Sequence, residues 1–125
     1  MKKISSSEIG RACEALKNSG IVDKDKGTYQ KVFKGYISSF GASVAQAGLL
    51  PTIIFYENQS EQAKERTKVI IALKSLLEKE YQVESLAKHL LEKKKADDKK
   101  LLKEVTDAMV SMKLALRMFS EVKDN

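Results

Sequence analysis

Tryptophan is absent from this chain, and cysteine, histidine and proline each occur once, as Cys13, His89 and Pro51. Each shortage excludes something. A single cysteine rules out an intramolecular disulfide and suits a reducing compartment better than a secreted one. One histidine and one cysteine cannot form a His/Cys cluster of zinc-binding spacing. The six glycines fall into neither GxxxxGK[ST] nor GxGxxG, so neither common phosphate cradle is present. With one proline and few glycines there is little turn chemistry for hairpins, and no segment shows clear strand alternation. The basic start, MKKISSSEIG, is followed by no apolar run of signal-peptide length, and the expectation is a cytoplasmic protein.

Arginine is scarce too: Arg11, Arg66 and Arg117 stand against 20 lysines. Apolar residues make up 42% and charged residues 32% of the 125, an ordinary globular composition for one compact domain spanning residues 1–125. The formal net charge is +6 and is unevenly spread, with eight basic residues against four acidic ones in residues 1–36. A basic balance favours a polyanionic partner or an anionic surface. Lysine suits phosphate as a point charge, whereas reading base edges leans on the planar arginine fork. Contact with a nucleic acid would therefore be to its backbone.

Helical period runs through nearly the whole chain. Ser5 and Glu8 form the pattern of a capping box, Ile9, Ala12, Cys13 and Leu16 share a face, and Gly20 follows as a stop. A second helix is expected over about 28–47, with Tyr29, Phe33, Tyr36 and Phe40 on one arc as core. From Gly35 to Tyr56 there are 22 uncharged residues in a row, interrupted by Gly48-Leu49-Leu50-Pro51. A membrane span needs about 20 mostly apolar residues. This run carries Ser38, Ser39, Ser43, Gln46 and Thr52, and Gly48 and Pro51 end one helix and begin another. It is a helical hairpin, not a span. Further helices are expected over about 60–80, around Val83–Leu91, and over about 98–121, with 92–100 as a charged turn or solvated helix end. The fold class is all-α, a single compact bundle of five or six helices with this Gly-Leu-Leu-Pro hairpin near the middle.

No catalytic constellation stands out. Cys13 lies on the apolar stripe of the first helix and reads as a buried thiol, and His89 as a boundary residue. Glu57, Glu61 and Glu65 form a carboxylate ladder, but Lys64 and Lys68 lie at i+3 from the last two and make it a solvated face. Asp97-Asp98 is set among lysines. No metal site, no cofactor and no enzyme activity are expected.

Two features carry more. Opposite the aromatic arc of the second helix, Gly41, Ala42 and Ala45 leave a smooth patch next to Lys31 and Lys34. On the last helix, Val110 and Leu114 are i, i+4 neighbours opposite the main apolar stripe, among Lys103, Asp107 and Arg117. These are the candidate subunit-interface residues, read as two separate patches. A head-to-tail contact between copies would need two such patches on one chain.

The stretch YISSFGASVAQAGLLPTIIFY resembles the signature of the small subunit family of the type III-B CRISPR effector complex, through Phe40, Val44, Gly48, Leu49 and Phe55. GRACEALK is similar to that family's first helix at Arg11, Ala12 and Ala15. Gly41 and Ala47 stand where the family often has proline and asparagine, and the tryptophan that many members carry is missing. The resemblance implies a non-catalytic subunit that stacks in several copies beside the guide-carrying backbone proteins and lines a basic channel for guide and target RNA. Its partners would be the other subunits, copies of itself and the RNA backbone, with no membrane. The expected phosphate contacts are Arg11, which follows from the family match, and Lys17, Lys31 and Lys34, which follow from charge and helical phase. The rival is a helical protein–protein adaptor that binds no nucleic acid.

Overall fold

A computed structural model describes residues 3–58, 64–94 and 98–123. Six α-helices follow in order: α1 (Ser6–Asn18), α2 (Lys31–Ala47), α3 (Leu49–Glu57), α4 (Lys64–Ser75), α5 (Leu86–Lys93) and α6 (Lys99–Leu116). One buried cluster draws residues from all six, from Ala12 and Leu16 of α1 to Met112 and Leu116 of α6. α1 lies along α6, α2 packs on α3, α4 and α6, and α5 is held chiefly by α3.

Local chemistry explains the helix ends. Ser5 Oγ accepts from Glu8 N at 3.1 Å while the Glu8 carboxylate reaches back to Ser5 N, the capping box expected for α1. Gly48 has φ +97, a conformation open to glycine, and serves both as the end of α2 and the start of α3. Within the uncharged run, Ser38, Ser39 and Gln46 face solvent, while the more buried polar side chains bond inside the hairpin. Thr52 Oγ1 donates to Gly48 O at 2.8 Å, which leaves Ser43 Oγ to donate to Thr52 at 2.7 Å. Tyr56 Oη donates to Tyr36 O at 2.7 Å, and the Tyr56 ring meets Phe40 edge-to-face at 4.8 Å. Ser43, Thr52 and Tyr56 thus find their partners within the hairpin itself.

Several boundaries differ from expectation. α2 starts at Lys31, not Thr28, because Thr28–Tyr29 form a short strand, β1, parallel to β2 (Ser120–Glu121) near the C-terminus. Ser120 N donates to Gly27 O at 3.0 Å and Val122 N to Tyr29 O at 2.9 Å. No strand was expected: two residues are too few for an alternating pattern to register. α6 ends at Leu116 because the next three amides bond three residues back, Arg117 N to Leu114 O through Phe119 N to Leu116 O, which tightens the chain out of the α-helix. α4 ends at Ser75 for the same reason, and a 3-10 turn at Lys79–Tyr81 leads on. Tyr29, Phe33 and Phe40 are buried as expected and Tyr36 is half-buried, while Ile37, not on the expected arc, is buried among them.

Candidate nucleic-acid interface

The start of α2 is electrostatically unusual. Its N-cap, Gln30, makes no side-chain hydrogen bond to the first turn, and that turn holds no acidic residue. Lys31 and Lys34 are exposed there, with Val32 between them also exposed. Helix N-termini carry a partial positive charge and favour carboxylates, so lysines in the first turn cost about 0.3–1 kcal/mol each unless an anion lies nearby. Next to Lys31 opens a groove of about 1010 Å³ between the 20–31 loop, α2, α4 and the tail after α6. Lys26, Lys31, Lys68 and Lys123 line it, with Asp23, Glu65 and Glu121 as its carboxylates.

The Asp23 carboxylate is turned into the loop. Oδ1 accepts from Asp25 N at 2.9 Å and Lys26 N at 3.0 Å. These backbone N–H bonds, that of Lys26 foremost, hold its pKa below the ordinary 3.8. The turn also carries Lys26 out to the groove. Lys68 Nζ lies 5.6 Å from the centroid of the buried Phe33 ring and covers its open side.

The other two expected phosphate contacts lie elsewhere. Arg11, on the exposed side of α1, lines a cleft of about 440 Å³ whose carboxylates are Glu8, Glu78, Glu104 and Asp107. Glu104 Oε1 accepts from Glu78 N at 2.9 Å, while its Oε2 is buried with no hydrogen-bond partner. Lys17 is half-buried, 3.7 Å from the Glu14 carboxylate and 5.8 Å from the Phe119 ring centroid. The four bases thus do not form one face. Lys31 and Lys34 share a helix start, Arg11 sits among acids, and Lys17 is engaged within the fold.

The interface candidates come together more than expected. Gly41, Ala45 and Val110 line one apolar groove of about 540 Å³ between α2 and α6, with Val44, Leu102 and Met109. Val110 and Leu102 are each 41% exposed there. Ala42 is exposed and Leu114 half-buried, and neither lines that groove. The patches read as separate meet at these three residues because α2 packs against α6. Sequence period places a residue on a face of its own helix and says nothing about which helix that face adjoins.

The residues considered for chemistry have other employment. Cys13 is half-buried against the core. His89 is half-buried, edge-on to Tyr81 at 6.0 Å, with Nε2 buried and unpartnered. Glu57 leaves the expected ladder altogether: its two oxygens accept from Ser85 Oγ, Leu86 N and Ala87 N at 2.7–3.1 Å and cap the N-terminus of α5. Glu61 and Asp97 lie outside the described residues, and Asp98 caps α6. Among the described residues, no group of three or more His, Cys, Asp or Glu could hold a metal ion, and no helix is long and apolar enough to cross a membrane.

Lys26, Lys68 and Lys123 were not singled out from sequence. Lys68 reads there as a neutralising partner of Glu65, and nothing in the spacing joins positions 26, 68 and 123.

The family described as CRISPR-associated protein (Cas_Cmr5) matches residues 8–120, nearly the whole chain. The chain belongs to that family and is a non-catalytic small subunit of the type III-B (Cmr) complex. No curated protein and no solved structure matches it.

Proposed function

From membership of this family we propose that the chain stacks in several copies within the cytoplasmic RNA-targeting complex and holds the backbone of guide or target RNA through a basic face. Family membership carries the role in the complex. The RNA-binding part rests on one observation, the uncapped and acid-free start of α2 with Lys31 and Lys34 exposed on it. Arg11 and Lys17 complete the proposed set, with smaller shares, since carboxylates surround the first and Glu14 neighbours the second.

The test uses the complete effector complex assembled with Arg11, Lys17, Lys31 and Lys34 all changed to alanine. Target RNA affinity should fall, and its dependence on salt should flatten, because each phosphate contact to a single strand adds about 0.7 to the log–log slope. Unchanged affinity and slope in a correctly assembled complex would remove the RNA-binding reading.

One observation favours the rival, an adaptor that contacts only protein. The α2/α6 groove presents Gly41, Ala45 and Val110, and among the described residues no side chain covers Val110 or Leu102 fully. Under both readings Gly41, Ala42, Ala45, Val110 and Leu114 serve a subunit contact. Copies of the chain would use the groove as one half of a head-to-tail contact, and its counterpart would lie on another surface. The adaptor reading differs in predicting no salt-dependent RNA affinity from any lysine of the chain.

A further inference from the structure

The geometry points to the groove at the start of α2 as a sequence-independent phosphodiester site built from four separate segments, with Lys26, Lys68 and Lys123 as contacts beside Lys31. This rests on the RNA-binding reading above and extends it to three residues that neither charge distribution nor helical phase singles out.

Lysines at the start of α2 oppose the helix dipole, and no side chain caps that turn. Three further ammonium groups line the same groove: Lys26 from the loop, Lys68 from α4 and Lys123 from the tail. Like charges gathered at the positive end of a helix destabilise an empty site and are offset when an anion enters it. Of the three carboxylates present, Asp23 has its Oδ1 engaged by two backbone N–H groups, which leaves less of its charge to compete for the lysines.

Construction of the groove is specific. The parallel β1–β2 pairing ends with Val122 N on Tyr29 O at 2.9 Å, one residue before Lys123, and so brings the tail to the groove. Gly27, at φ +65, takes the turn beneath, and a side-chain Cβ there would lie 3.8 Å from the Phe119 ring. The strand pair thus has an evident task, holding two lysines from distant parts of the chain at one surface.

Chemistry of the walls sets what binds. Phe33 and Tyr29 are buried, Lys68 lies over the Phe33 ring, and Tyr36 is half-buried, so the groove offers four ammonium groups against one partly open ring, too little for a run of stacked bases. A backbone is held without its sequence being read.

The test compares assembled complexes containing the full chain, titrated with a target RNA complementary to the bound guide at about 50 and 200 mM salt. With Lys26, Lys68 and Lys123 changed to alanine, three lost contacts should lower the log–log salt slope by about 2 and affinity at the lower salt by more than about tenfold. Because the Lys68 stem packs near Gly20, a second variant changes only the exposed Lys26 and Lys123 and should lower the slope by about 1.4. Changing all three to arginine should retain affinity. If both alanine variants titrate like the wild type while the variant at Arg11, Lys17, Lys31 and Lys34 loses affinity, the groove assignment is wrong and the RNA-binding reading stands. If none of the variants changes the titration, both fall.

Discussion

The groove at the start of α2 and the cleft between α1 and α6 invert one another. In the first, four lysines meet three carboxylates, one of them bound to backbone N–H groups. In the second, four carboxylates line the cleft with Arg11. Both are open to solvent, and both are assembled from segments far apart in the chain. Yet Arg11 and Lys31 both belong to residues 1–36, the stretch that carries much of the +6. The difference teaches that net charge sets the sign of the long-range field, while folding decides where a polyanion could settle. A base among carboxylates is already partly neutralised, whereas a base at an uncapped helix start is not.

Reversing the charge of Lys31 and Lys34 together to glutamate should have the largest effect. Affinity of the assembled complex for target RNA is expected to fall by about a hundredfold at low salt, since two attractions become repulsions. Filter-binding titration at two salt concentrations measures it. A loss below threefold would break the comparison at its basic end.

Arg11→Ala tests the acidic end. RNA affinity is expected to change by less than about threefold. The thermal midpoint should change little, by an amount equivalent to less than about 0.5 kcal/mol, because Arg11 is exposed and Glu78 keeps its ion pair with Lys100 at 3.2 Å. An affinity loss above about tenfold would mean that the cleft opens to RNA after all.

Glu104→Gln sharpens the same end. The amide oxygen keeps the bond from Glu78 N, and the new N–H donors replace an unpartnered carboxylate oxygen among other acids. Unfolding in urea should show a gain of about 0.5–1 kcal/mol with RNA affinity unchanged.

Asp23→Asn gives the smallest shift. Asparagine keeps the acceptor for Asp25 N and Lys26 N but removes a negative charge from the groove, so RNA affinity should rise about twofold at low salt and return to the wild-type value at high salt. The same change bears on pH. Asp23 is held below 3.8 in the folded chain, so its contribution is complete above that value and is lost as pH falls through the lowered one. The asparagine variant should therefore show a flatter acid limb in a pH titration of stability by circular dichroism. An unchanged limb would show that the two backbone bonds persist in the unfolded chain.

Much of the scaffold is legible in the sequence alone. Ser5 and Glu8 cap α1, Gly48 breaks the uncharged run, and Pro51 stands in the first turn of α3, each for a local reason visible in the residues themselves. The strand pair was not legible, because β1 and β2 are two residues each and lie about 90 positions apart. Glu57 shows the same limit. Its spacing to Glu61 and Glu65 suggested a solvated ladder, and its actual partners are the first amides of α5, some 30 residues on.

Which segments are helical, the start of α1, the break at Gly48, most of each buried stripe and the family all follow from local caps, from the 3.6-residue period and from a pattern of residues along the chain. The tertiary structure alone decided the neighbours. It set Lys26, Lys68 and Lys123 beside Lys31, Arg11 among carboxylates, and Gly41 and Ala45 against Val110. The physical reason is range. A helical period relates residues four positions apart, whereas the field and the packing at a surface depend on distances in space, which only the docking of α1, α2, α4 and α6 establishes.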